Sequence, residues 1–181
     1  MKKLSFNIAL GGIVSALCIL LMFLVGVFPF FVYAFPMLCS LLICVVFYES
    51  GVKTALITYA SICVLSLLLS ADKESAIIFT ALFGYYPIAK IYIDKISYKF
   101  LRLLLKLAIF NFTMLLSYHI LIKIFGVVDL SEIAGEATDL SVLALLIIGN
   151  ITFVFYDFAI KRLSDRYLAY WRKHLFKGSK R

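Results

Sequence analysis

Apolar runs too long for a soluble core, separated by short polar punctuation, set the pattern of this chain. Positions 8–27 hold no charged residue, and at about 1.5 Å per residue such a helix covers the roughly 30 Å of a bilayer's hydrocarbon. The same reading places spans at 6–27, 37–48, 54–69, 76–93, 103–125 and 140–160. Pro29 breaks the first beyond its end, and the aromatic turn 28–36 suits a headgroup boundary. Turns follow at 49–53, around Gly51, and at 71–74. Pro87 interrupts the fourth span near its end, a basic amphipathic stretch (95–106) leads into the fifth, and a polar loop (126–139) precedes the sixth. This predicts an all-α polytopic membrane protein with six transmembrane helices over 1–160, and a basic amphipathic tail over 161–181.

Composition agrees. The chain is 64% hydrophobic and 15% charged, with a mean hydropathy of +1.05, too little polar matter to cover a soluble domain of 181 residues. The net charge of +8 sits in blocks at span ends, so it reads as a topology signal and not as a nucleic-acid surface. Segments assigned to one side carry +12 and those assigned to the other −4, together the +8 of the chain. The positive-inside rule then puts both termini in the cytoplasm, and the high Ile, Lys, Phe and Tyr content fits an AT-rich bacterial genome and hence a bacterial plasma membrane. The first run is too long for a signal-peptide core, and no A-x-A site follows it, so it is expected to stay as a span.

Chemistry is sparse. Cys18, Cys39, Cys44 and Cys63 all fall inside spans without a CxxC pair, as apolar packing residues do. His119 and His174 have no neighbouring metal ligand, and no hydrolase, zincin or phosphate-loop motif occurs. No enzyme activity, metal or cofactor is expected.

Three sets of residues remain. Ala9, Gly12 and Ala16 give the first span a small-residue face, fit either for packing inside the protein or for docking a membrane partner. Glu49, Lys90, Lys106 and Asp157 form a charged layer near one face. Lys106 and Asp157 enter from antiparallel neighbours at similar depth and are expected to pair; Asp157 can also reach Lys161, and Lys90 can reach Asp94. Lys90 or Lys106 is also placed to cap carbonyls freed by Pro87. Deeper lie Asn111, Thr113, Ser117, Tyr118 and His119, with Asn150 and Thr152 facing them. The two asparagines are expected at comparable depth, bonding each other or a ligand.

Length, span count, the small residues at Ala9, Gly12 and Ala16, and the Gly51 turn leading into a span with Ala55, Ala60, Ser61 and Ser66 together resemble the substrate-binding S-components of energy-coupling-factor (ECF) transporters. That resemblance implies uptake of a vitamin-like nutrient and docking of Ala9, Gly12 and Ala16 on a coupling membrane subunit that works with two ATPases. It implies a small-molecule ligand on the outer side near Phe31, Tyr33, Asn111, His119 and Asn150. The riboflavin, thiamine and biotin signatures of that family are absent. A second resemblance, in dimensions and topology, is to the cell-shape protein MreD, a non-transporting scaffold whose working surfaces here would be the basic tail and the charged layer. A third reading is an ion- or proton-coupled carrier using Lys106 and Asp157.

Overall fold

The computed structural model describes residues 2–70, 72–125 and 138–171; most of the expected loop 126–139 and the last ten residues of the expected tail lie outside them. The described residues are almost all helical, without strands. Helix α1 (Lys2–Val25) leads through a 3-10 turn (Pro29–Phe31) to α2 (Ala34–Leu69). Next come α3 (Lys73–Ile78), a π-helical turn (Phe79–Phe83) and α4 (Tyr86–Ile93), and then the long helices α5 (Lys99–Phe125) and α6 (Thr138–Arg166). Among the described residues four helical runs are long and apolar enough to cross a membrane: Lys3–Val25, Ala34–Leu69, Lys73–Ile93 and Lys99–Ser117. Their outer faces are apolar. Ile8, Leu68 and Phe112 on these runs, Phe155 on α6 and Phe30 in the turn after α1 are all exposed, Phe30 at 97%, which water would not tolerate across so much surface.

Helix α2 is two legs. Its one non-helical residue is Gly51, at φ 84° and ψ 177°. Contacts show that the chain reverses there. Cys18 and Cys39 exchange thiol-to-carbonyl contacts of 3.8 and 3.6 Å, while Gly11 lies against Thr58 and Thr54. In a straight helix Cys39 and Thr58 would be about 28 Å apart, yet their partners on α1 are about 10 Å apart. The leg 52–69 therefore runs parallel to α1, and the Ser70 hydroxyl reaches the Met22 carbonyl at 3.3 Å near the far end of both. The turn is tighter than the 49–53 expected, since helical bonding continues to either side of a single glycine. The first leg begins at Ala34, so Pro36, expected in the preceding turn, sits in the first helical turn where its missing N–H costs nothing.

The next reversal is capped. Asp72 accepts from the Ser75 amide at 2.9 Å, opening α3, and the Lys73 ammonium donates to the Leu67 and Ser70 carbonyls at 2.9 and 3.0 Å, closing α2. The break in the following run precedes Pro87. The Gly84 amide bonds the Phe79 carbonyl at 2.8 Å, a five-residue ring, and Pro87 falls in the first turn of α4. Gly84 is pressed onto the Tyr59 ring so closely that no Cβ would fit, and the Tyr59 hydroxyl donates to the Thr80 carbonyl at 2.7 Å. Tyr59 thus serves a carbonyl in the irregular stretch where a lysine was expected.

The run Lys73–Ile93 is the centre of the bundle, with Phe79, Leu82, Phe83 and Tyr86 all buried. Helices α5 and α6 are antiparallel neighbours: Lys106 meets Asp157, Phe110 stacks on Phe153 at 4.6 Å, and Asn111 meets Asn150. The 160/161 boundary, where the tail is expected to begin, lies within a continuous helix. Helix α6 continues to Arg166 and then a π turn (Tyr167–Trp171), whose Tyr167 packs on Tyr48 at 6.5 Å and donates to Glu49 at 3.1 Å.

Gly51→Ala should lower stability by about 1–3 kcal/mol, because the backbone region it occupies is open essentially to glycine alone. Space is not the reason, since a Cβ there would meet nothing within 4 Å. Gly12→Ala, helical and equally open, should leave stability unchanged or slightly raised. Thermal unfolding of both variants in detergent checks this, and equal midpoints for the two would contradict it.

Candidate functional site

Helices α4, α5 and α6 converge on Asp157. On α4, Tyr86, Lys90 and Asp94 are spaced by four and so share one face. Asp157 projects from α6 between that face and Lys106 of α5. Its Oδ1 accepts from the Tyr86 hydroxyl at 2.5 Å, from Lys90 Nζ, and from Lys106 Nζ at 3.1 Å; its Oδ2 accepts from Lys106 Nζ at 2.9 Å. Asp94 completes the group. It lies 2.7 Å from Lys106 and 3.5 Å from Lys90, with Arg102 Nε at 3.8 Å. Asp157 therefore faces inward to Tyr86, Lys90 and Lys106, and its ion pairs are with those two lysines and not with the expected Lys161.

Burial gives this cluster its weight. Lys90 is 3% exposed and Lys106 5%, so each ammonium has given up nearly all its water. Such a charge persists only beside a carboxylate that it also hydrogen-bonds. The arrangement fixes the rotation of three helices at once. It contains two carboxylates for three cations, and every one of the five is engaged. Sequence reasoning placed Lys106 with Asp157 and Lys90 with Asp94 but missed Tyr86 and Arg102. The four-residue spacing of Tyr86, Lys90 and Asp94 was the available signal.

About 7 Å further along α5, Asn111 and Asn150 exchange amide bonds of 3.0 Å in both directions. Their remaining N–H groups go to the Leu107 and Leu146 carbonyls at 2.8 and 2.7 Å. All four amide hydrogens are thereby used, so the pair braces α5 against α6 and leaves no donor for a ligand. Thr113, Ser117 and Thr152 bond carbonyls of their own helices. His119 is exposed, about 12 Å past Asn111 along the helix. The Tyr118 side chain lies outside what the structure describes.

Phe31 and Tyr33 belong to the turn between α1 and α2. Phe31 packs on Phe28 and Phe35 at 6.5 and 5.1 Å, and the Tyr33 hydroxyl donates to Glu74 at 3.3 Å. Partial burial, and then the Glu74 carboxylate, raises the Tyr33 phenol above its ordinary value, so it stays a neutral donor. The contacts of these two residues are with this turn and the start of α3, and those of the asparagines are between α5 and α6.

Ala9, Gly12 and Ala16 are exposed. No atom of the chain lies within 4 Å of a Cβ built on Gly12, whereas one on Gly11 would sit 2.8 Å from the Thr58 hydroxyl. The two glycines differ by about 100° around α1, and the inward one makes the internal packing contact. All four cysteines are buried free thiols, and no group of metal-ligating side chains occurs among the described residues.

Comparison with protein-family models, curated proteins and solved structures returned no match.

Asp157→Asn should cost about 3 kcal/mol, since it leaves the buried Lys90 only the Asp94 carboxylate, 3.5 Å away and shared with Lys106. Replacing both partners, Lys90→Met with Asp157→Leu, should cost less than the single change, because Lys106 keeps Asp94. Denaturation in mixed micelles measures both; a double variant weaker than the single one would mean that ion pairing is not what Asp157 contributes.

Proposed function

We propose that this chain is the membrane-embedded, substrate-binding subunit of an ECF-type uptake system for a small, vitamin-like nutrient. In this reading it crosses the bilayer six times with both termini cytoplasmic: α1, the two legs of α2, the run from α3 to α4, α5 and α6. The observation that carries it is the uncovered small-residue face of α1. A helix in lipid gains little by presenting alanine and glycine to acyl chains, but such residues let another helix backbone come close. Since the chain packs α1 through Gly11 and leaves Ala9, Gly12 and Ala16 outside, a partner membrane subunit with its ATPases is the fitting occupant.

The ligand would then enter at the outer end, against Phe31, Tyr33 and the first turn of α3. Asn111 and Asn150 would support that site, since a ligand could bond them only by breaking their mutual pair. His119, exposed on the same half of α5, would lie at its rim. The charge cluster sits at the opposite, cytoplasmic end and acts as the anchor of the bundle. With both lysines already paired, it favours a structural role over a proton-carrying one.

Gly12→Leu and Ala16→Leu should each abolish co-purification with a coupling subunit while leaving the unfolding free energy within about 0.5 kcal/mol of the parent, as substitutions away from internal contacts do. Complexes recovered in undiminished yield from both variants would reject the docking role of this face, and the transporter reading with it.

A further inference from the structure

Beside the charge cluster the chain forms a cleft of about 180 Å³, room for about six waters at roughly 30 Å³ each. The first leg of α2, helix α4 and the end of α6 build it. Tyr48 and Ser164 bring hydroxyl groups, and Pro87, Ile91 and Ile160 supply an apolar wall. Ile93 ends a run long and apolar enough to cross a membrane, so the cleft stands where that run leaves the hydrocarbon. None of its walls belongs to the proposed nutrient site at the other end of the bundle.

The charged lining balances: Lys90 and Lys161 stand against Asp94 and Asp165. One charge of each sign is already spent. Lys90 is buried against Asp157, and Asp94 is taken by Lys106, Lys90 and Arg102. Lys161 and Asp165 differ from them. Both are exposed, one turn apart on α6, and among the described residues neither has an ion-pair partner. They are not paired with each other either, and lysine before carboxylate is the less favourable order for two residues spaced by four.

The cleft therefore offers one free positive and one free negative group on neighbouring turns, their Cβ atoms about 5–6 Å apart. A simple anion there would face Asp165, and a simple cation would face Lys161. A ligand carrying both charges a few bonds apart is answered at both, and it adds no net charge to a lining that already balances. At the edge of the hydrocarbon, with an apolar wall alongside, such a ligand is a zwitterionic phospholipid. A carboxylate beside hydroxyl groups favours an ammonium that keeps its N–H donors over a methylated one.

We infer that this cleft holds the headgroup of a phosphatidylethanolamine, the Lys161 ammonium donating to its phosphate and its own ammonium donating to the Asp165 carboxylate. The acyl chains leave past Ile91 and Ile160. Assignment of the lipid to the inner leaflet rests on the proposed topology; the binding itself does not.

The test uses the full chain, purified in neutral detergent and freed of lipid. Dioleoyl phosphatidylethanolamine, phosphatidylcholine and phosphatidylglycerol, and soluble phosphoethanolamine, are offered separately, with native mass spectrometry counting bound molecules. The expected result is one retained phosphatidylethanolamine, held about tenfold more tightly than either other lipid, the size of one hydrogen bond to a charged group. Asp165→Lys, at an exposed position outside the buried cluster, should turn the preference toward phosphatidylglycerol, and Lys161→Glu should abolish it. Equal retention of the three lipids, a parent chain that prefers phosphatidylglycerol, or an Asp165→Lys variant with the parent's preference overturns the inference. Binding of phosphoethanolamine that depends on Lys161 and Asp165, without any preference among the lipids, also overturns it, in favour of a soluble zwitterion. No coupling subunit takes part, so loss of docking by the Gly12 and Ala16 variants and loss of lipid binding are separately visible.

Discussion

Two buried ammonium groups sharing one carboxylate between three helices leave those helices little choice of position. Asp157 can keep its charge only while Lys90 and Lys106 both reach it, and each lysine can stay buried only while Asp157 or Asp94 answers it. That requirement sets the depth of α5 against α6 and the rotation of α4 about its own axis. The π turn before α4 belongs to the same constraint. A turn with one extra residue shifts the phase of everything after it, and here the shifted face is the one carrying Tyr86, Lys90 and Asp94. Tyr59 holds the irregular turn in place through the Thr80 carbonyl and the Gly84 contact.

How much of this was legible in the sequence depended on whether hydropathy and rise alone decide it. Lys106 and Asp157 could be matched because both lie a short distance inside the same ends of adjacent antiparallel helices, and the asparagine pair follows by the same arithmetic. The reversal at Gly51 was legible as a turn but not in its sharpness. A single glycine with positive φ can replace a five-residue loop, and residue type gives no measure of how far helical bonding persists on either side. The π turn was not legible, because apolar composition is blind to whether an amide bonds four or five residues back. Pro87 drew attention to the right region for a different reason: it marks where α4 begins, after the irregularity has already occurred.

For the small residues of α1 the sequence permitted two readings and could not divide them, since Gly11 and Gly12 are neighbours and a helical wheel alone does not say which way is inward. Packing decides. Gly11 takes the close approach to Thr58, and Gly12 turns away. The outer ligand residues illustrate the opposite limit. Phe31 and Tyr33 were grouped with Asn111 and Asn150 by the resemblance, which implies a ligand at one expected depth, yet depth fixes only one coordinate, and the contacts of each pair are with different parts of the bundle.

The two ends of the bundle are held by different physics, and that has a consequence for any partner on α1. Its inner face is joined to the second leg of α2 by close small-residue contact, and that leg presents Tyr59, next to Thr58, to the π turn; beyond it Tyr86 reaches Asp157. A continuous line of packed groups therefore runs from the uncovered face of α1 to the charge cluster. Contiguity is not coupling, which needs an element with two discrete arrangements that both ends bias. The π turn is present in one arrangement, the Gly84 amide on the Phe79 carbonyl, and moving that bond from a five-residue to a four-residue ring would rotate α4 and pull Lys90 from Asp157. The strength of the Asp157 cluster opposes that rotation, so pressure on α1 would have to exceed the stability of a buried ion pair before the far end responded.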